Sequence, residues 1–388
     1  MGDPMTEQLR GSAAIVGIGE AGVGHVGRGV MPLDLLAEAT RTALDDAGLS
    51  LSDVDGLFSA SAYYPMAALN VAEYLGIRPR FSDGTNVGGS SFIAHLQHAV
   101  AAVNAGMCDV ALICYGSTQR SDSGGLVSIG EQSPYERDYR PRYPLSAYAL
   151  AAARHMYEFG TTREQLAEVA VAARQWAQLN PDAVVRDPLT AEDVLNSRVV
   201  SSPLSVLDCC LVTDGAAAAI VTRAERAADS PNPAVFILGT GAAHWHRSIT
   251  NMPDLTTTAA ADSGPRALTA AQVQHSDIDL LMLYDAFTIN TLLFLEDLGF
   301  CGKGEGGPFV AGGRIRPGGS LAVNTNGGGL SYGHPGMYGM FLIMEAVRQL
   351  RGAAGDRQLE KHDVALLHGN GGVMSHQATA ILGTAAAL

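Results

Sequence analysis

Short unbroken apolar runs alternate along this chain with longer stretches whose apolar positions recur every three or four residues. The first run is Ala13-Ala14-Ile15-Val16-Gly17-Ile18. The first periodic stretch, 33–47, gathers Leu35, Leu36, Ala39, Ala43 and Leu44 on one face and stops at Gly48, which predicts an amphipathic helix with a glycine C-cap. The alternation continues as a strand at 53–59, a short helix at 67–75 and a strand with its turn at 81–89. A long helix at 92–105 is closed by Gly106, and a strand follows at 109–115. Strands apolar on both faces, joined by amphipathic helices, predict a mostly parallel sheet covered on both sides.

The stretch 117–203 breaks the pattern. It holds Tyr135, Tyr139, Tyr143 and Tyr148 among Arg137, Arg140 and Arg142, then two helical stretches at 147–159 and 162–179. Thr161 or Thr162 can cap the second, with Glu164 in its first turn. This reads as a helical insertion packed over the sheet. Apolar strand material returns at 204–222.

The pattern then starts again. Residues 234–241 (AVFILGTG) echo 14–19, and 276–281 (SDIDLL) echo 52–57. Residues 324–329 (NTNGGG) echo 85–89, and 362–367 (HDVALL) echo 108–113. Four blocks in the same order indicate tandem duplication of one βαβ-type unit. The expected organisation is an N-terminal half at 11–230, carrying the insertion at about 117–203, and a C-terminal half at 231–388. Two such halves should pack about a pseudo-twofold axis, their loops meeting in a shared cleft.

Composition narrows the reading. At 388 residues with 47% hydrophobic and 16% charged residues, the chain suits two fused globular units and not a disordered one. A net charge of −14 argues against nucleic acid or an anionic membrane as the main partner. It leaves room for an anionic ligand on a local basic patch. No apolar run has the length of a membrane span, and the first residues lack a signal-peptide pattern. Five cysteines (Cys108, Cys114, Cys209, Cys210, Cys301) show no metal spacing and suit a reducing, cytoplasmic setting. They read as buried small hydrophobes. No metal site and no tightly bound cofactor are expected.

Candidate chemistry concentrates at 319–340, GSLAVNTNGGGLSYGHPGMYGM. A short apolar piece runs into Gly327-Gly328-Gly329, then Gly333-His334-Pro335, then a helical pattern at 340–350. A strand that ends in glycines and turns into a helix presents bare backbone N–H groups. His334 adds the side chain most easily poised as acid or base near neutral pH. The bland alternative is a turn with an incidental histidine. Gly17-Ile18-Gly19-Glu20-Ala21-Gly22 matches G-x-G-x-x-G, but the helical pattern begins only near Leu33, so a glycine-rich loop is preferred to a dinucleotide site. His95 and His98 are three apart on one helix with no third ligand in view, and read as helix-face residues. His244 and His246 flank Trp245 on a loop that can reach the cleft.

Duplicated halves, the Gly-rich turn, the Gly-His-Pro turn and the terminal Gly369-Asn370-Gly371-Gly372 together resemble the thiolase superfamily. The blocks Tyr284-Asp285-Ala286-Phe287-Thr288, Glu296-Asp297-Leu298-Gly299-Phe300-Cys301 and Asp208-Cys209-Cys210 are similar to its sterol-carrier-protein-type members. The resemblance covers about 14–382. It implies the five-layered αβαβα thiolase fold and coenzyme A as part of an acyl-CoA substrate. The family's nucleophilic cysteine matches Gly88 here, and the second thiol of its Cys-x-Gly-Gly turn is also absent. Without a thiolate the usual acyl-enzyme cannot form. The steroid side-chain-cleaving aldolases of the superfamily have lost these cysteines and use tyrosine. Tyr284 resembles one of their tyrosines, and His334 stands where the second would fall.

The reading that follows is retro-aldol (or aldol) chemistry on a β-hydroxyacyl-CoA. His334 and Tyr284 are its acid/base groups, and the backbone at Gly88 and Gly371 forms an oxyanion site. Ser90, Tyr332, Tyr338, His246 and His368 are further pocket candidates. Ser90 is either a helix cap or a replacement nucleophile, and Tyr284 either a catalytic or a core tyrosine. The alternatives are Claisen-type acyl transfer and a non-catalytic acyl-CoA-binding or scaffold subunit. The arginines at 137, 140 and 142 either meet nucleotide phosphates or form a solvated cluster. The resemblance also implies a homodimer and a small OB-fold/zinc-ribbon partner of the DUF35 type, together a heterotetramer.

Overall fold

The computed structural model describes residues 9–122 and 134–388. The first half contributes β1 (Ala13–Gly24), α1 (Pro32–Ala47), β2 (Gly56–Ser59), α2 (Ala67–Leu75), β3 (Phe81–Asp83), α3 (Ser91–Asn104) and β4 (Val110–Ser117). The inserted helices α4 (Leu145–Phe159) and α5 (Arg163–Gln178) precede β5 (Asp214–Arg223). The second half runs β6 (Val235–His244), α6 (Ala260–Ala271), β7 (Leu280–Leu283), α7 (Thr288–Asp297), β8 (Ala322–Val323), α8 (Gly339–Leu350), β9 (Val364–Gly371) and β10 (His376–Gly383). Arg137, Arg140 and Arg142 are exposed, and residues 123–133 of the insertion lie outside the described part.

The strands order as β8-β7-β9-β10-β6-β1-β5-β4-β2-β3. Each half therefore repeats the same five-strand order. In the first, β5 runs antiparallel to β1 and β4 while β2 is parallel to both β3 and β4. In the second, β10 is antiparallel to β6 and β9 while β7 is parallel to β8 and β9. The sheets of the two halves meet where Ala14 and Ile15 pair with Phe236 and Val235.

Helices complete five layers. Helix α1 covers the outer face of β1, β4 and β5, and α6 covers β6 and β10. Helices α3 and α8 lie between the two halves and touch strands of both. That position explains why α8 is buried almost all round.

The glycines of the 17–22 motif have a packing role. Strand β1 runs through them without a helix start. A Cβ on Gly17 would stand 2.1 Å from the Ala43 carbonyl of α1. Gly239 of β6 repeats the arrangement, with a Cβ position 2.4 Å from the Ala267 carbonyl of α6. Bare glycine lets each helix lie directly on its strand, which accounts for the motif without a nucleotide.

Two expected strands are shorter in the fold. The 81–89 stretch pairs only over β3, because Asp83 then turns back to accept from the Thr85 N–H and hydroxyl, both at 2.8 Å. The 204–222 stretch is broken at Asp208, whose carboxylate accepts from the Ser205 N–H (2.8 Å) and the Thr288 hydroxyl (2.9 Å), so strand β5 begins at Asp214. Helix α5 starts as expected: Thr162 Oγ1 accepts from the Gln165 N–H at 3.3 Å, and Gln165 Oε1 from the Thr162 N–H at 2.9 Å. Thr161 instead meets Nδ1 of the buried His155 at 2.8 Å.

Candidate active site

The two glycine turns, one from each half, touch backbone to backbone. Gly88 has φ 81°, which favours glycine. A Cβ there would lie 2.5 Å from the Gly372 nitrogen. A Cβ on Gly371 would lie 1.8 Å from the Val87 carbonyl and 2.3 Å from Ser90 Oγ. Any side chain at Gly371 would push the halves apart, so the duplication places these turns in register.

Beside this contact lies a cavity of about 530 Å³, within the range of small-molecule sites. Its walls come from the Asn86–Gly89 turn, from Tyr284 and Phe287, from His334, Gly336 and Met337, and from Asn370 and Gly372. The insertion adds Glu136, Tyr143 and Tyr148. The loop after β6 adds His244, His246 and Arg247, and His376 stands at the start of β10. Loops from both halves thus meet in one cleft.

His334 is 3% exposed. Its main chain is fixed: its N–H donates to Thr213 Oγ1 at 3.0 Å and its carbonyl accepts from Gln119 Nε2 at 2.6 Å. Its ring meets Tyr284 edge-on at 5.5 Å and stacks on Tyr338 at 5.9 Å. Yet neither ring nitrogen has a hydrogen-bond partner among the described residues. Burial lowers its pKa to about 4, so the ring is neutral at pH 7, with one donor and one acceptor unspent.

Tyr284 follows β7 and lines the same cavity. Its hydroxyl accepts from the Tyr338 N–H at 3.1 Å and donates to the Gly336 carbonyl over a long 3.3 Å. Burial pushes its pKa well above the usual tyrosine range, so it is a phenol and a proton donor. A Cβ on Gly89 would fall 2.3 Å from the Tyr284 hydroxyl. The first-half turn therefore has to be bare glycine for this phenol to reach it.

The other expected site residues divide. His246 lines the cavity, its Nε2 3.0 Å from the Val373 carbonyl, and burial lowers its pKa. Gly88 lines it too, but its N–H donates to Asn86 Oδ1 at 3.2 Å, so a substrate oxyanion there competes with an amide oxygen. Gly372 lines the cavity where Gly371 does not. His368 is correspondingly misplaced as a pocket residue. Its ring lies over β10, held by Thr379 and Gln377 at 2.9 Å each, and burial lowers its pKa to about 3. Tyr332 is also off the cavity, its hydroxyl 3.1 Å from Glu20. Tyr338 supports the site from behind, hydrogen-bonded to Asn326.

Ser90 does not cap its helix through its side chain. It is fully enclosed, with Oγ 2.8 Å from His376 Nδ1. Ser91 ties down the turn before the helix: its Oγ accepts from the Val87 N–H at 3.0 Å and donates to the Gly88 carbonyl at 2.6 Å. His376, with its pKa lowered to about 4 by burial and then by its neighbours His244 and His98, escaped the sequence reading. So did Asp285, whose pKa burial raises to about 7. It accepts from the Gly329 N–H at 2.6 Å, and its Oδ2 has no hydrogen-bond partner among the described residues. Its place beside Tyr284 in the Tyr-Asp-Ala-Phe-Thr block was the available signal. Cys210 corrects a further expectation: it lines the cavity and is no mere core filler. Burial holds its thiol protonated, the less nucleophilic form.

His95 and His98 act on the turn. His95 Nε2 lies 3.0 Å from the Thr85 carbonyl, and His98 Nδ1 2.5 Å from Asp83. Both hold the 83–85 loop that leads into Gly88.

Comparison with known proteins follows this geometry. The chain is 37% identical over 370 residues to the 17-hydroxy-3-oxo-4-pregnene-20-carboxyl-CoA lyase of Mycobacterium tuberculosis, covering 89% of this chain and 93% of the relative. It is 35% identical over 375 residues to an acetyl-CoA acetyltransferase of Methanothermobacter thermautotrophicus, covering 92% and 96%. The chain belongs to the thiolase superfamily. Residues 241–384 of this thiolase relative match the Thiolase C-terminal domain-like family. The solved Ltp2-ChsH2(DUF35) aldolase superposes with a TM-score of 0.88 at 34% identity, over 97% of this chain and 98% of that one. The chain is thus a thiolase-superfamily enzyme, a carbon–carbon lyase or an acyltransferase. No helix among its described residues is long and apolar enough to cross a membrane.

Proposed function

We propose that this enzyme cleaves a β-hydroxyacyl-CoA by retro-aldol chemistry, or runs the reverse addition, with His334 and Tyr284 as its acid/base pair. The observation that carries the proposal is the buried imidazole with both nitrogens unpartnered, edge-on to a phenol, in the cavity. Burying two polar atoms without partners is costly, and a substrate hydroxyl and carbonyl would relieve that cost. Neutral His334 takes the β-hydroxyl proton. The Cα–Cβ bond breaks, Cβ becomes a ketone or aldehyde carbonyl, and the electron pair passes to Cα as a thioester enolate. Tyr284 is the donor best placed to return a proton, since its bond to Gly336 is long. No covalent intermediate is required, in keeping with glycines in both meeting turns. Coenzyme A enters as part of the substrate. By analogy with the Ltp2-ChsH2 assembly, a DUF35 partner joins a homodimer of this chain in a heterotetramer.

Acyl transfer is the second reading. The Ser90–His376 pair supplies the adjacent base that a serine nucleophile needs, and an acetyltransferase is among the relatives. The enclosure of Ser90 away from the cavity weighs against it.

The test is product analysis on branched β-hydroxyacyl-CoAs and β-ketoacyl-CoAs, with and without free CoA, and with a DUF35 protein added. A ketone or aldehyde plus a shorter acyl-CoA, formed without free CoA, is expected. Cleavage of β-keto substrates alone, and only with CoA present, would replace the lyase by acyl transfer.

A further inference from the structure

The Gly333-His334-Pro335 turn belongs to the second half of the chain, yet it is held from the first. Three consecutive carbonyls accept from side chains here. That of His334 accepts from Gln119 Nε2 at 2.6 Å, that of Pro335 from the Tyr115 hydroxyl at 2.5 Å, and that of Gly336 from Tyr284 over a long 3.3 Å. Thr213, also of the first half, accepts from the His334 N–H at 3.0 Å. Tyr115 stands near the end of β4, and Gln119 opens the short helical turn that follows. Both are buried. Gly336 leaves room for them: a Cβ there would lie 3.1 Å from Gln119 Oε1 and 3.3 Å from the Tyr115 hydroxyl.

The duplicated halves differ at this point. The echo of 108–113 in 362–367 aligns Tyr115 of β4 with Gly369 of β9. A Cβ on Gly369 would stand 3.0 Å from the Ser90 Cα, so β9 meets the first-half turn as bare backbone. At the matching place β4 sends a long polar side chain to the second-half turn, the one that bears His334. A histidine used in catalysis is commonly oriented by a hydrogen bond to one ring nitrogen. Neither nitrogen of His334 has such a bond among the described residues, so its place depends on its backbone and on the rings of Tyr284 and Tyr338.

We propose that Gln119 and Tyr115 are positioning residues for His334, fixing where its imidazole stands through the carbonyls of the turn instead of through the ring. The proposal rests on the reading of His334 as the acid/base group. Loss of either donor leaves a buried carbonyl unpaired. The turn then shifts toward another donor, and the imidazole moves with it. A displacement of about 1 Å at a reacting group costs up to about 10²-fold in rate.

The test compares Tyr115→Phe and Gln119→Met in the full chain, each alone and combined with His334→Ala, with urea unfolding to establish that each is folded. Either change alone should lower kcat on a β-hydroxyacyl-CoA about 10–100-fold and leave KM close to that of the parent. In the His334→Ala background neither should lower the residual turnover further, because positioning counts only while the imidazole is present. An unchanged kcat in the folded variants would overturn the proposal. So would an equal fold-loss in the His334→Ala background, which would make the two residues general support for the turn. Nitrogen NMR of isotope-labelled histidines supplies a readout independent of turnover. The ring signals of His334, identified by their loss in His334→Ala, should move in both variants. Moved signals in a chain that turns over no β-hydroxyacyl-CoA would sink the lyase and leave the positioning role standing. Unmoved signals would overturn that role whatever the turnover.

Discussion

Replacing His334 by alanine separates its chemistry from its packing. Removing a ring wedged between Tyr284 and Tyr338 costs packing of about 2–4 kcal/mol, the scale of large-to-small core changes. Against this, the variant no longer buries two unpartnered nitrogens, whose desolvation penalty is about 1–3 kcal/mol. The net loss at pH 7 should be small and the fold retained. Turnover of a β-hydroxyacyl-CoA should fall about 10²–10⁴-fold, the contribution of a positioned acid/base group. The pH dependence of stability gives an independent check. Burial lowers the folded pKa of His334 to about 4 from an ordinary 6.5. Below pH 6.5 the unfolded chain takes up a proton that the folded protein refuses, so the parent loses stability as pH falls toward 4. The alanine variant lacks this loss and should gain on the parent by about 3 kcal/mol between pH 7 and pH 4. Steady-state product formation and urea unfolding at several pH values measure both effects. Near-normal turnover in a folded variant would remove His334 from the mechanism. Parallel pH-stability curves would refute the buried neutral imidazole.

Tyr284→Phe keeps the ring but strands the Tyr338 N–H. It should cost about 1–3 kcal/mol of stability and lower kcat at least tenfold with little change in acyl-CoA affinity; weakened binding with kcat intact would make Tyr284 a binding residue. Gly89→Ala would set a methyl 2.3 Å from the Tyr284 hydroxyl, so kcat should fall about as far as in Tyr284→Phe, and an unaffected rate would refute the placement of the phenol. Ser90→Ala should leave lyase turnover within a few-fold of the parent, whereas loss of all cleavage, with an acyl-enzyme trapped in the parent but not in the variant by mass spectrometry, would establish the serine route. Acid should destabilise the parent beyond the effect of His334: His95 and His368 are also held neutral by burial, with pKa values lowered to about 4 and about 3. Each should cost about 1.4 kcal/mol per pH unit from 6.5 down to its folded pKa, and a stability curve flat from pH 7 to 5 would contradict that.

The sequence by itself determined the strand and helix alternation, the duplication and the residues of the key turn. Those features are local, because apolar periodicity, glycines and caps act within a few neighbours of each residue. It also marked His334 and Tyr284, since the Gly-His-Pro turn and the acidic-aromatic block are contiguous. What it left open was long-range. Ser90 and His376 lie 286 residues apart in the chain and 2.8 Å apart in space, and no spacing rule connects them. His368 sits one residue from a glycine turn and on the same strand face as the cavity-lining Asn370, yet it lies one step deeper, held by Thr379 and Gln377 and off the cavity. The 17–22 glycines read as a loop, while their true constraint is the α1 backbone lying across them. Burial, and with it the displaced pKa values of His334 and Tyr284, depends on what distant parts of the chain place alongside. Only the docking of the two glycine turns against each other decided which side chains face the cavity.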